Sequence, residues 1–243
     1  MSKKNRTNDR ASRAAAALAE QERQEKRRRN LMVGGVVGVI LVIILGGYFI
    51  SRSLDSTTDV DAPSAGSEFG LTIGPDDAPN KVVIYEDFLC PYCGDLEAAS
   101  RDDFTQLAAD GKVQVEYRPF NWLSSLGDYS ARSAGAFSIV LDKSGADVAK
   151  RFHDLLYENQ PEEKGPFPSD DDLADLAVEA GAKDADVREA ISNNDGADWV
   201  ERATKSAVDT GLQGTPTVLL NGEVFQDGRT VEDIAKNLIA KLQ

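Results

Sequence analysis

Hydrophobic positions along the chain follow the strand period in some segments and the helix period in others. Runs of β-branched and aromatic residues predict strands at residues 69–73, 81–88 and 112–120. Apolar positions at helical spacing follow the second run and start at Pro91, and proline fits the first turn of a helix because the missing N–H needs no partner there. From residue 81 onward the pattern therefore predicts strand, helix, strand.

The middle of the chain, about residues 126–212, has helical spacing and no convincing strand pattern. Prolines between positions 161 and 168 divide it into several short helices. Ser169, followed by three aspartates, is typical of a helix start.

The last part of the chain predicts a hairpin and a helix. Two short strand patterns flank Asn221-Gly222, the strongest short hairpin signal. Thr230 and Asp233 then predict a capped final helix. The fold class is therefore α/β, with a helical block between the second strand of the strand–helix–strand unit and the hairpin.

The N-terminal part of the chain predicts a membrane anchor. Residues 31–50 carry no charge, and twenty helical residues match a hydrocarbon core of about 30 Å. Three arginines at 27–29 precede this run, which places the N-terminus in the cytoplasm and the C-terminal body outside. A cleaved signal peptide is the alternative, but the apolar run is longer than a usual signal core and lacks a clear cleavage site.

We therefore divide the 243 residues into four parts. A basic cytoplasmic tail covers residues 1–30, a transmembrane helix 31–50, and a flexible tether 51–68, which is rich in Ser, Thr, Asp and Pro. One folded domain covers residues 69–243. The localisation that follows is a single-pass protein of the cell membrane with an extracytoplasmic domain.

Charge is distributed unevenly between these parts. The chain has a formal net charge of -14, with +6 in residues 1–30 and -20 in the remainder. Phosphate neutralisation needs clustered Lys and Arg, which the acidic body lacks, so nucleic acid is excluded as a partner.

Candidate chemistry concentrates at Cys90 and Cys93, the chain's two cysteines. A bridge between them would close a tiny loop and contribute little stability, which favours a chemical role over a structural one. At a helix N-terminus, free N–H groups and the helix dipole lower the pKa of a thiol. Cys90 is then the nucleophile, and Cys93 resolves the mixed disulfide.

Other uses of the pair fit the sequence less well. A four-ligand zinc site lacks ligands because His153 is the only histidine, so no metal is expected. Covalent haem attachment needs a histidine directly after Cys93, where the chain has Gly94. The remaining alternative is that the two cysteines are buried structural residues that have this spacing by chance.

A second motif, Gly214-Thr215-Pro216-Thr217, puts a proline at the start of a strand pattern. A cis Thr215–Pro216 bond beside the cysteines would expose the Thr215 backbone for strand-like pairing with an extended substrate peptide.

Together these motifs resemble the DsbA-like branch of the thioredoxin superfamily. The resemblance rests on Cys90-Pro91-Tyr92-Cys93 after a strand, a long helical insert, and the Thr215-Pro216 motif before a hairpin. It implies a thioredoxin fold with an inserted helical domain, with Cys90 as attacking cysteine, Cys93 as its partner and Pro216 as a cis-proline beside them. Pro91, Tyr92, Thr215 and Pro216 are the predicted substrate-binding residues.

Acidic residues near the dithiol are candidates for a proton relay. Many thioredoxin-like proteins have a buried acid six residues before the first cysteine, but this chain has Ile84 there. Glu86 and Asp87 are the nearest acids, and either is a candidate relay, with an exposed carboxylate at the strand end as the commoner alternative. For His153 we weigh a structural role against a pH-sensitive surface position.

The leading hypothesis is an extracytoplasmic thiol-disulfide oxidoreductase that oxidises cysteines of exported proteins and needs no cofactor besides its own dithiol. Its expected partners are these exported proteins, a membrane redox protein that regenerates the Cys90–Cys93 pair, and the membrane itself. The opposite electron flow would make it a reductase or isomerase, since Tyr92 is not diagnostic of direction. A non-catalytic peptide-binding domain with a redox latch is the alternative from another class.

Overall fold

The structure, a computed structural model, describes residues 66–243. The predicted cytoplasmic tail, the transmembrane helix at 31–50 and residues 51–65 of the tether lie outside this range. Within the range, no helix combines the length and the apolar character that crossing a membrane requires.

Five strands in the described part form one sheet in the order β1-β3-β2-β4-β5. Strands β2 and β3 are parallel, as expected for strands joined through a helix, and the other neighbouring pairs are antiparallel. The strands are β1 (Leu71–Ile73), β2 (Asn80–Glu86), β3 (Val113–Pro119), β4 (Thr217–Leu220) and β5 (Glu223–Val224).

Seven α-helices of the described part surround this sheet. The first connects β2 to β3, the next five form the helical block between β3 and β4, and the last follows the hairpin, so the predicted order of elements is confirmed. The helices are α1 (Pro91–Ala109), α2 (Tyr129–Ser144), α3 (Ala146–Glu158), α4 (Asp170–Glu179), α5 (Asp184–Ser192), α6 (Ala197–Asp209) and α7 (Val231–Leu242).

The main hydrophobic core lies on one face of the sheet. Val82 and Ile84 of β2 pack there with Val115 and Tyr117 of β3 against apolar side chains of α1, α3 and α7. Val113, Val115 and Tyr117, which alternate along β3, all lie on this face. Since β2 and α1 share this core, the turn between them, which ends at Cys90, is anchored on both sides.

The second face of the sheet is also covered, which the alternating pattern of β3 did not indicate. Glu116 and Arg118 are buried there as an ion pair with an Nε–Oε1 distance of 2.8 Å. The Glu116 carboxylate also accepts the backbone N–H groups of Gly66 and Ser67 at 2.6 and 2.9 Å. The start of the described chain is therefore fastened to the sheet before residue 69.

The predicted turn and caps are confirmed. Asn221 and Gly222 have φ of 53° and 88° between β4 and β5, the positive values that a tight two-residue hairpin turn requires. Thr230 accepts the Asp233 N–H at the start of α7 at 3.2 Å, and Ser169 forms a capping box at the start of α4.

Candidate active site

The two cysteines lie at the N-terminus of α1. Cys90 is the N-cap residue, Pro91 is the first helical residue, and the N–H groups of Cys93 and Gly94 donate to the Cys90 carbonyl at 3.0 and 3.2 Å. Both cysteines are free thiols and are buried, with 4% of Cys90 and 1% of Cys93 exposed. The structure therefore represents the reduced dithiol.

The Cys90 thiol is unusually acidic. A hydrogen bond from the Cys93 thiol lowers the pKa of Cys90 to about 7, with further help from the Thr215 side chain and the Cys93 backbone N–H. Burial and the Asp87 charge act in the opposite direction. At neutral pH a substantial fraction of Cys90 is therefore the reactive thiolate.

Cys93 has the opposite character. Complete burial raises the pKa of its thiol well above the ordinary value, and its interactions with Cys90 raise it further. The two sulfurs thus have separate acidities, one accessible to ionisation at neutral pH and one held protonated.

The Thr215–Pro216 peptide bond is cis, as the sequence motif predicts. It brings Thr215 next to the dithiol, where the Cys90 thiol donates to the Thr215 carbonyl at 3.3 Å. The structure therefore joins two motifs that lie 125 positions apart in the chain. A second cis bond, Gly165–Pro166, had no signal in the sequence beyond the proline itself.

A largely apolar groove of about 470 Å³ begins beside the dithiol. Tyr92 lines its rim with 63% of its surface exposed, whereas Pro91 is exposed but is not part of the lining. The lining residues are Tyr92, Leu96, Thr215, Pro216, Thr217, Val218, Val224, Phe225, Gln226, Gly228, Val231 and Ile234. The lining residues after the cis-proline strand come from β5, α7 and the segment between them, which sequence reasoning did not connect with the site.

Asp87 is fully buried, so its interpretation as an exposed carboxylate was wrong. Its Oδ1 accepts the Leu89 N–H, and its Oδ2 accepts those of Trp122 and Leu123, each at 2.8 Å. Burial raises the pKa of this carboxyl group, and the backbone donors partly offset that effect. Asp87 therefore ties the turn before Cys90 to the segment after β3.

Glu86 is buried as well, for a different reason. Its Oε1 lies 2.7 Å from Nε2 of His153, which belongs to α3 and is completely buried. His153 is therefore not the surface group that we weighed as one alternative. On its other side lies Glu97, one helical turn beyond Cys93, whose Oε1 is 3.6 Å from His153 Nδ1. An acidic residue on the buried face of a helix was the signal that could have revealed Glu97.

The histidine is charged in this surrounding. Burial alone would lower the pKa of His153, but the carboxylates of Glu86 and Glu97, with the Asp154 hydrogen bond, outweigh burial and raise it to about 9. A positive imidazolium thus links α3 of the helical block to the end of β2, directly before the dithiol turn.

Glu97, His153 and Asp154 also lie close enough together to ligate a metal ion. Cations of the chain already occupy this cluster: Arg101 Nε lies 3.1 Å and Lys150 Nζ 3.5 Å from Glu97 Oε1. The cluster is therefore an ion-pair network, and the expectation that the chain holds no metal stays a prediction.

Gln160 is a further residue that the sequence did not single out. It follows α3, and its Nε2 donates to the carbonyl oxygens of Phe88 and Cys90, both at 2.9 Å. A polar residue in a loop carries no pattern by which this contact could have been found.

Comparisons with known proteins agree with this arrangement. A family model described as thioredoxin matches residues 67–240. The probable disulfide bond formation protein D of Bacillus cereus is 29% identical over 157 residues, which are 63% of this chain and 70% of that protein.

Two solved structures from Mycobacterium tuberculosis are similar over most of the described chain. The reduced disulfide bond oxidoreductase DsbG has 30% identity and a TM-score of 0.63, covering 73% of this chain and 88% of its own. Reduced DsbA has 28% identity and a TM-score of 0.61, covering 72% of this chain and 90% of its own.

The charged state of His153 predicts a pH-dependent contribution to stability. Because its pKa is raised from 6.5 to about 9 on folding, the stabilisation is fully present below about pH 6.5 and is lost as pH rises through about 9. The unfolding free energy of the wild-type chain minus that of H153Q should therefore be larger at low pH than at high pH. We expect this pH-dependent part to amount to about 3 kcal/mol between about pH 6 and pH 10.

The measurement is urea unfolding of both chains between about pH 6 and pH 10, with the difference between them plotted against pH. This difference cancels the titration of groups that both chains share, including Cys90. A difference that stays constant across the range would show that His153 is not a buried cation.

Proposed function

The chain belongs to the thioredoxin family and is a thiol-disulfide oxidoreductase of its DsbA-like branch, and on that premise we propose that it oxidises cysteine pairs of exported proteins through Cys90 and Cys93. The observation that carries the proposal is the position of the dithiol at the N-terminus of α1, with the Cys90 thiol 3.3 Å from the Thr215 carbonyl at the cis bond to Pro216. The separate pKa shifts of the two thiols support it. A stabilised Cys90 thiolate favours the reduced form of the couple, which makes the disulfide form an oxidant.

The reaction proceeds by two thiol-disulfide exchanges. A substrate thiolate attacks Sγ of Cys90 in the disulfide form, the Cys90–Cys93 bond breaks, and Cys93 leaves and takes up a proton. A second substrate thiolate then attacks the substrate sulfur of the mixed disulfide, and Cys90 leaves as the stabilised thiolate. The substrate loses two electrons and the dithiol gains them, so no further cofactor is needed.

The groove beside the dithiol is the proposed substrate site. Its apolar lining accommodates bulky side chains of an unfolded or extended peptide, and Tyr92 at the rim adds an exposed aromatic surface. The Thr215 carbonyl, which accepts the Cys90 thiol in the reduced form, is the backbone group nearest to an incoming substrate strand.

A proton must reach Cys93 when it leaves, and Glu86 is our candidate for the relay. Both oxygens of Asp87 already accept backbone N–H groups, which suits that residue to holding the turn. Glu86 instead faces a protonated histidine, a partner with which a carboxylate exchanges a proton readily.

The Cys93→Ala variant tests the exchange mechanism. Without Cys93 the chain cannot form the active-site disulfide that accepts electrons, so oxidation of a reduced model protein should fall by at least about a hundredfold. With an oxidised model protein, the Cys90 thiolate attacks the protein's disulfide and one of its sulfurs leaves as a thiolate, and the mixed disulfide should accumulate because the chain has no second thiol to resolve it. Non-reducing electrophoresis and thiol titration measure these two outcomes. Cys90→Ala is the matched control, in which neither adduct nor oxidation is expected.

Adduct formation by Cys90→Ala that equals that of Cys93→Ala would contradict the assignment of Cys90 as the sulfur that bonds to substrate. A wild-type chain that binds reduced peptide but transfers no disulfide would instead favour the non-catalytic, redox-latched binding domain. Reduction or shuffling of disulfides in place of oxidation would favour a reductase or isomerase.

The proposed site of action is outside the cytoplasm, with the chain anchored by residues 31–50. The uncharged run of twenty residues after Arg27–Arg29 supports this orientation. Exported proteins with cysteines are then the substrates, and a membrane redox protein withdraws the two electrons from the reduced dithiol.

Because the chain has only two cysteines, thiol labelling in intact cells reports on this proposal without further substitutions. A membrane-impermeant maleimide, applied after mild reduction, should label the chain in intact cells as fully as in lysed cells. A Cys90→Ser, Cys93→Ser double variant, which has no thiol, measures the background labelling. Labelling that requires lysis would place the dithiol in the cytoplasm and contradict the proposed orientation.

A further inference from the structure

Gln160 connects the helical block to the dithiol turn through its side-chain amide. Its Nε2 lies 2.9 Å from the carbonyl oxygens of both Phe88 and Cys90. The Cys90 carbonyl also accepts the N–H groups that open α1. One amide group therefore bridges the residue two positions before the attacking cysteine and that cysteine itself.

The surroundings of Gln160 fix this amide in place. Its own backbone N–H donates to the Tyr157 carbonyl at 3.2 Å, and the Tyr157 ring packs against Phe88 with 5.2 Å between ring centroids. Gly94 lies on the other side, where a methyl group would come within 2.5 Å of Gln160 Oε1. The lack of a side chain at Gly94 makes the room that the amide occupies.

We propose that Gln160 is a positioning residue of the dithiol, which holds the active-site turn and stabilises the Cys90 thiolate through the two carbonyl groups. The inference deepens the proposed function and rests on it, since it assigns a role relative to the attacking cysteine. It does not make Gln160 a catalytic residue, because the amide contacts backbone oxygens and not a reacting sulfur.

The physical reason is electrostatic and geometric. The carbonyl oxygens of Phe88 and Cys90 carry partial negative charge in the turn that holds the Cys90 thiol, and the amide hydrogens of Gln160 neutralise part of it. The same bonds keep the first turn of α1 in the geometry that directs the Cys93 thiol and N–H toward Cys90. Loss of the amide should therefore make the thiolate less stable.

The Q160A variant of the full chain tests this role by thiol acidity. We expect the Cys90 pKa, followed by the ultraviolet absorbance of the thiolate, to rise by about half to one unit. At about pH 9, where Cys90 is ionised in both chains, the equilibrium constant for oxidising glutathione should fall by about three- to tenfold, in step with the pKa. N159A is the matched control, because among the described residues the Asn159 side chain bonds only the Leu155 carbonyl of the preceding helix.

Gly94→Ala provides an independent variant, since its methyl group would displace the Gln160 amide without removing it. Alanine forms helices better than glycine, so folding should be preserved while the Cys90 pKa rises as in Q160A. In the Q160A background the same methyl group meets no amide, and the double variant should show the pKa of Q160A alone.

A Cys90 pKa in Q160A equal to that of the wild-type chain would overturn the proposal, even with a lower melting temperature, because Gln160 would then be a structural tie only. The proposal would also be overturned if G94A raised the Cys90 pKa by the same amount in the wild-type chain and in the Q160A variant. If Q160A does not fold, G94A decides: a raised pKa supports the role, and an unchanged one contradicts it. The Cys90 pKa is measured without substrate, whereas the proposed function fails if the wild-type chain transfers no disulfide. The two failures are therefore distinguished by separate measurements.

Discussion

The hydrogen bond between the two thiols at the start of α1 is the interaction on which the chemistry of this chain depends. It lowers the pKa of Cys90 and adds to the burial that raises the pKa of Cys93, so that one sulfur ionises near neutral pH while the other stays protonated. The bond requires both side chains to share the first turn of a helix, with Pro91 between them. A shift of that turn would bring the two acidities together and weaken the couple as an oxidant.

Much of the structure serves to hold this turn. From the sheet side, Asp87 fastens it to the segment after β3 through two backbone N–H groups, those of Trp122 and Leu123. From the helical block, His153 pairs with Glu86 and Gln160 holds the Cys90 carbonyl. Burying the His153 charge costs free energy, which the flanking carboxylates offset. The helical block is thus a structural part of the active site as well as a cover for the sheet.

The sequence predicted those features that local rules control. Strands, the helix start at Pro91, the Asn221-Gly222 turn and the Thr230 cap follow from periodicity and backbone preferences of a few neighbouring residues. The burial of Glu86 does not, because a carboxylate at a strand end is ordinarily solvated. Its partner His153 lies 67 positions away and comes from another layer of the fold. Glu116 and Gln160 escaped prediction for the same reason, since only the tertiary fold supplies their partners.

The reduction potential of the Cys90–Cys93 couple tests the central claim most directly. Oxidation of substrate cysteines requires a potential well above about -270 mV and toward the oxidising end of the family, near about -120 mV, because the couple must accept electrons from substrate thiols. The measurement is equilibration of the purified chain with glutathione buffers and quantification of its reduced fraction. A potential near about -270 mV, the range of thioredoxin-like reductants, would contradict the account.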